Sequence, residues 1–185
     1  MTTRRRTAAV ATAAGIALAL SGLSAPAALA DGPRTPPAVA QAIQAQPWVF
    51  LSEGDREYRV LAVAAILAEE RFYSKEPIAT FDADLTAAVE EYQAARGLPV
   101  TGVVDARVWE ALSDDVGLVR ANDPRLALVN GLEHSLTHLG YPPPHYGGFT
   151  RAVKAFQRAK GIGVDGIIGP ITFRAMYAEG AEDTA

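Results

Sequence analysis

Three histidines, His134, His138 and His145, are the first candidates for chemistry, because all three fall within twelve positions. His134 and His138 stand one helical turn apart, a spacing that can chelate a metal. A zinc-protease motif places a Glu directly after its first His, whereas here Glu133 precedes the pair. Val129, Leu132, Leu136 and Leu139 mark a buried stripe, which puts both histidines on the far, solvated side of their helix. No metal site and no cofactor is expected. The carboxylate pairs Glu69-Glu70, Glu90-Glu91 and Asp114-Asp115 are neighbours in sequence. Neighbours on a helix point about 100° apart, so these pairs do not face each other as acid and base. The chain contains no Cys, which removes thiol nucleophiles and disulfides. No stretch resembles a nucleophile elbow with a placed His and acid. The expectation is a protein that is not an enzyme.

Residues that could bind are easier to find. Arg151, Lys154 and Arg158 recur at i, i+3 and i+7, and no acid lies among residues 149–160. That basic face suits a carboxylate-bearing ligand, or it is simply solvated. The preceding loop, Tyr141-Pro142-Pro143-Pro144-His145-Tyr146-Gly147-Gly148, is stiffened by proline and carries aromatic and His side chains. His145 and Tyr146 are therefore candidates for docking sugar or peptide. Tyr146 serves equally well as a residue that closes the corner, and Tyr141 is read as closing it.

The elements that must position these residues repeat. Thr86–Leu98 matches Thr150–Ile162 without a gap at an offset of 64. The match continues through Gly102 with Gly166, Val103-Val104 with Ile167-Ile168, Trp109 with Phe173, and Leu112 with Met176. Upstream, Val60, Val63, Leu67 and Phe72 pair with Val129, Leu132, Leu136 and Tyr141 at an offset of 69. The first copy therefore carries extra residues near Ser74–Pro77. Each copy reads as three helices, so the fold class is all-α with two tandem modules. The second helix is expected to start at Thr86 or Thr150, with the hydroxyl as its cap. Gly97 or Gly161 stops it. Gly102 or Gly166 marks a tight turn, and Asp105, or Pro170 with Thr172 nearby, opens the third helix.

Residues 1–30 read as an export signal: Arg4-Arg5-Arg6, an apolar core, then Ala28-Leu29-Ala30 before the cleavage point. Removing it leaves 14 basic against 21 acidic residues, a net charge of −7. That balance argues against nucleic acid and against anionic lipid, so neither is expected as a partner after cleavage. Residues 31–46 read as a Pro-rich extended linker, 47–115 as module 1, 123–178 as module 2, and 179–185 as a frayed acidic tail.

The string Ala-Val-x-x-aromatic-Gln-x-x-x-Gly-Leu/Ile-x-Val-x-Gly-Val/Ile-Val/Ile resembles the peptidoglycan-binding domain family. Copy two matches best, through Thr150–Gln157 and Val164-Asp165-Gly166-Ile167-Ile168-Gly169-Pro170. The lead-in Trp48–Asp55 also looks like that of such modules in actinobacterial secreted proteins. The resemblance covers roughly residues 47–177. It implies a secreted, cell-wall-associated protein whose partner is peptidoglycan, through stem peptide or glycan, with a separate cell-wall hydrolase as a further partner. Copy one has Thr101 where copy two has Asp165, and Asp105 where copy two has Gly169. Module 2 is thus expected to bind through His145, Tyr146, Thr150, Arg151, Lys154, Asp165 and Gly166. An alternative is a protein–protein role that recruits or regulates the hydrolase.

Overall fold

A computed structural model describes residue 31, residues 35–145 and residues 147–183. The export-signal expectation and Tyr146 lie outside the described residues. Among those described there are seven helices: α1 (Pro37–Gln44), α2 (Tyr58–Glu69), α3 (Ala83–Ala95), α4 (Ala106–Val116), α5 (Leu126–His138), α6 (Gly148–Ala159) and α7 (Pro170–Tyr177). The only strand-like pairings among them are isolated antiparallel bridges. Module 1 is α2–α4 and module 2 is α5–α7. None of these helices is long and apolar enough to cross a membrane.

The repeat visible in the sequence is a repeat in space. Leu51 pairs with Val104 in module 1, and Val119 pairs with Ile168 in module 2. Each bridge ties the lead-in of a module to the strand-like residues before its last helix. Phe72 meets Tyr92 edge-on at 5.3 Å, and its equivalent Tyr141 meets Phe156 edge-on at 5.5 Å. The aromatic corner read from sequence is therefore present in both copies. Both second helices end as predicted, with Gly97 at φ 67° and Gly161 at φ 69°. Beyond each glycine, Leu98 N donates to Gln93 O and Ile162 N to Gln157 O, both at 2.8 Å, which closes the helix end.

The starts of the second helices differ from expectation. In module 1 the cap is Asp82, which accepts from Leu85 N at 2.9 Å. Thr86 lies one turn inside and bonds back to Asp82 O. Asp is preferred over Thr at a helix cap, and the helix begins at Ala83. In module 2 Gly147 stands at the cap position with φ 60°, and Thr150 falls in the first turn. Neither threonine caps its helix.

The two modules share one core. Helices α2 and α5 cross antiparallel, and their contacts are related by the repeat itself. Tyr58 stacks on His138 at 4.3 Å, while Glu69 Oε1 accepts from Ala127 N at 2.7 Å. Tyr58 and Ala127 are equivalents at offset 69, as are Glu69 and His138, so the two ends of the crossing exchange roles between copies. At the centre Gly131 faces Ala65 so closely that a Cβ on Gly131 would lie 2.7 Å from Ala65 Cβ. The helix ends are also traded. Buried Arg59 of α2 donates from Nε to Tyr177 O at 3.0 Å, closing the C-terminus of α7. Arg125, at the start of α5, donates to Val116 O at 3.0 Å and so closes α4. Cations at helix C-termini are favoured by the exposed carbonyls and the helix dipole.

Both flanks depart from their sequence reading. Part of the expected extended linker is helix α1, opened by Pro37 in its first turn and packed on α7. Proline is tolerated in a helix's first turn because its missing N–H is not needed there. The tail is docked through residue 183. Ala181 is buried, Glu182 reaches His138 and Arg59, and Lys160 Nζ donates to Gly180 O and Asp183 O at 3.1 and 2.6 Å.

Candidate ligand-binding surface

The surface of module 2 is organised by a side chain that sequence pattern alone reads as core. Gln157 is fully buried. Its Oε1 accepts from Asp165 N at 3.1 Å and Gly166 N at 2.9 Å, while its Nε2 donates to Ile167 O at 2.9 Å and Asp165 Oδ1 at 2.8 Å. One amide thus supplies both the acceptor and the donor that the tight turn lacks. Gln93 does the same in module 1, accepting from Thr101 N and Gly102 N and donating to Val103 O and Thr101 Oγ1. A buried Gln followed eight residues later by a donor-capable turn is the signal that would have found this hub.

Each predicted residue takes a definite place around the hub. Gly166 has φ 82°, and a Cβ there would lie 2.7 Å from the Thr150 methyl and 2.9 Å from Lys154 Cε. Thr150 and the Lys154 stem therefore lie directly against the turn, and only glycine fits beneath them. Gly102 faces Thr86 and Glu90 in the same manner. Asp165 is turned inward: Oδ1 holds Gln157 and Ile167 N, and Oδ2 is buried without a protein partner. Thr101 Oγ1 takes the place of Asp165 Oδ1 in module 1, so the turn survives the substitution. Arg151 is exposed and Lys154 half-buried, and neither forms an ion pair among the described residues. Arg158 shares that face, whereas Lys160 is engaged by the tail. His145 is exposed on its loop. Turn, Thr150 and Lys154 are brought together by α6; His145 stands on the loop before that helix.

Two features escaped the sequence reading. Exposed apolar side chains recur at matching positions, Phe50 with Leu118 and Val100 with Val164. A cleft of about 300 Å³ opens between the modules, lined by Gln44, Trp48, Glu110, Ser113, Ile171 and Arg174. There Arg174 lies 4.4 Å over the Trp48 ring and pairs with Glu110 at 2.8 Å. His134 lines a second cleft of about 290 Å³ beside Gly131 and Glu76. His134 and His138 are both exposed, on the solvated side of α5 as read from sequence, while His138 also stacks on Tyr58 and reaches Glu182.

Resolved pKa shifts fall on structural groups. Burial raises the Tyr58, Tyr92 and Tyr177 hydroxyls. The hydrogen bond from Arg125 lowers the Asp123 carboxyl. Desolvation lowers Lys160. No group of three His, Asp or Glu side chains that could hold a metal ion occurs among the described residues.

The family profile described as a peptidoglycan binding domain matches this chain twice, over residues 56–112 and 127–176, more than half its length. The chain belongs to the peptidoglycan-binding domain family. The two matches coincide with the two three-helix units, so both peptidoglycan-binding modules are genuine copies. Membership supports peptidoglycan as the partner and association with the cell wall. The chain is also 30% identical over 147 residues to the N-acetylmuramoyl-L-alanine amidase CwlM of Mycobacterium tuberculosis. That alignment covers 67% of this chain and 36% of the amidase. The chain thus spans about a third of the relative's length.

Proposed function

We propose that this is a secreted, non-catalytic protein that binds bacterial cell-wall peptidoglycan through two modules locked into one body. The observation that carries the reading is the α6 face of module 2. Arg151 and Lys154 form no ion pair among the described residues and lie beside the turn formed by Asp165 and Gly166, where module 1 presents Ala87 and Glu90. Stem peptides bear carboxylates, and unpaired guanidinium and ammonium groups are their natural donors. Thr150, Arg151 and Lys154 make the contact, with His145 and Tyr146 on the adjoining loop. Asp165 and Gly166 shape the turn beneath. Module 1 mainly supports module 2. Co-sedimentation with purified, protein-free walls tests the reading; a protein left in the supernatant at physiological salt would overturn it. Incubation with muropeptides, with and without zinc, is expected to yield no product.

A second reading has one observation in its favour, the similarity to an amidase over a third of that enzyme's length. On that reading the modules recruit or regulate a separate cell-wall hydrolase. Capture of a stoichiometric hydrolase from culture supernatant, by a chain that ignores bare walls, would favour it.

A further inference from the structure

Helices α2 and α5 bound a cleft of about 290 Å³ beside their crossing, and α6 takes no part in it. Leu61 and Ala65 line it from α2, Asn130 and His134 from α5. At the repeat offset of 69, Leu61 is the equivalent of Asn130, and Ala65 of His134. The same two positions of both copies therefore line one cleft, with apolar side chains from module 1 and polar ones from module 2. Between them Gly131 approaches Ala65 so closely that no larger side chain fits. The remaining wall includes Glu76 and Pro77, from the segment that module 1 has and module 2 lacks. The cleft is thus built from features in which the copies differ, and it needs both of them. Its polar groups are unengaged. Glu76, Asn130 and His134 are all exposed, and neither Glu76 nor His134 is ion-paired among the described residues.

We propose that this cleft is a glycan subsite, and that the group it takes is the acetamido group of an N-acetylated amino sugar. An apolar floor with a few convergent polar side chains is the usual make-up of a small-ligand site. No Lys or Arg lines the cleft, and the Glu76 carboxylate repels another, so a stem-peptide acid is disfavoured here. A neutral ligand with one amide and one methyl suits it. The Asn130 side chain offers both an N–H donor and a carbonyl acceptor, the complement of a secondary amide. Leu61, Ala65 and Pro77 receive the methyl, which leaves water as it enters. Glu76 accepts from ring hydroxyls, and the His134 imidazole can donate or accept. The volume stands at the lower end for small-ligand sites, so it holds a single sugar ring and not a strand. The inference rests on the wall-binding reading and adds the glycan to the stem-peptide contact on α6.

The test follows the backbone amide resonances of Asn130 and Gly131 in the full chain during titration with N,N′-diacetylchitobiose. Two control probes are used. Cellobiose is the same disaccharide with hydroxyls in place of the acetamido groups, and N-acetylalanine methylamide has the amides without the sugar. The acetylated disaccharide is expected to shift both resonances saturably, and each control should bind at least about tenfold more weakly. Asn130→Leu and His134→Ala, which copy the α2 residues into α5, should each weaken its binding by about threefold to tenfold. Both positions are exposed, so the far-UV circular dichroism should be unchanged. Glu76→Ala, outside the helices, gives a third variant with the same expected direction should a helical one unfold. Absence of a saturable shift in the unsubstituted chain overturns the subsite. So does an equal response to either control, or an unchanged affinity in the folded variants. Wall co-sedimentation of the unsubstituted chain is read separately. Walls bound without a disaccharide response sink only the subsite, and a disaccharide response without wall binding sinks only the wall reading.

Discussion

Trp109 and Phe173 occupy the same position in the two copies, and they touch: their ring centroids lie 6.2 Å apart, edge to face at 63°. Both are fully buried. Trp109 also stacks on Trp48 at 5.5 Å and on Tyr177 at 5.4 Å, and its Nε1 donates to Val49 O at 2.6 Å. One residue of module 1 therefore completes the core of module 2. Trp109→Ala is expected to cost about 3–5 kcal/mol and to destabilise both modules together. Denaturant unfolding followed by far-UV circular dichroism and by tryptophan fluorescence should give one coincident transition. Two separated transitions in the unsubstituted chain would contradict a shared core.

Gly131→Val should destabilise by about 1–3 kcal/mol through overpacking, despite glycine's poor helix propensity. The added Cβ meets Ala65 Cβ, and an α2–α5 pair that separates slightly loses contact along both helices. Thermal melting of Gly131→Val reads the cost. A melting temperature at or above that of the parent would show that the crossing has slack.

Asp165→Thr is expected to be nearly neutral, within about 1 kcal/mol, because Thr101 already performs the same bonds in module 1. The substitution also removes the buried, unpartnered Oδ2. Gln157→Leu should instead cost about 2 kcal/mol or more, since it strands the Asp165 and Gly166 amides. Hydrogen exchange at Gly166 separates the two, with protection kept in the first variant and lost in the second.

Arg151→Ala with Lys154→Ala should leave stability within about 0.5 kcal/mol, because neither side chain is ion-paired among the described residues. Wall binding should fall, and the remaining binding should lose much of its salt dependence. Unchanged co-sedimentation with unchanged salt dependence would remove α6 as the contact face.

Acid stability carries a signature of Asp123. Its bond to Arg125 lowers the folded carboxyl below the ordinary range. The unfolded chain therefore takes up its proton first as the pH falls. The resulting stability is present above the ordinary carboxylate pKa and is lost as pH drops through the lowered folded value. Asp123→Asn should flatten that limb of a stability–pH curve, and Arg125→Ala should flatten it too while also uncapping α4. A steep limb retained in both variants would assign the acid sensitivity elsewhere.

The repeat, the all-α class, the glycine stops and the aromatic corners are legible in the order of residues alone. These depend on spacing within one copy, where apolar period and φ preference act over a few residues. The helix starts were less legible, because a cap depends on which nearby group reaches the free amides; Asp82, not Thr86, does so in module 1. Asp165 and Gly166 were visible as a turn, but their inward orientation was not, since Gln157 reads as one more buried position. How the copies meet emerges on folding, through Arg59 closing α7, Arg125 closing α4, and Trp109 against Phe173. Folding also brings Asp31, read as linker, to the start of α7, where it supplies the cap that Gly169 lacks. Those contacts join residues 9 to 141 positions apart, and no local periodicity encodes which free donor a distant acceptor will find.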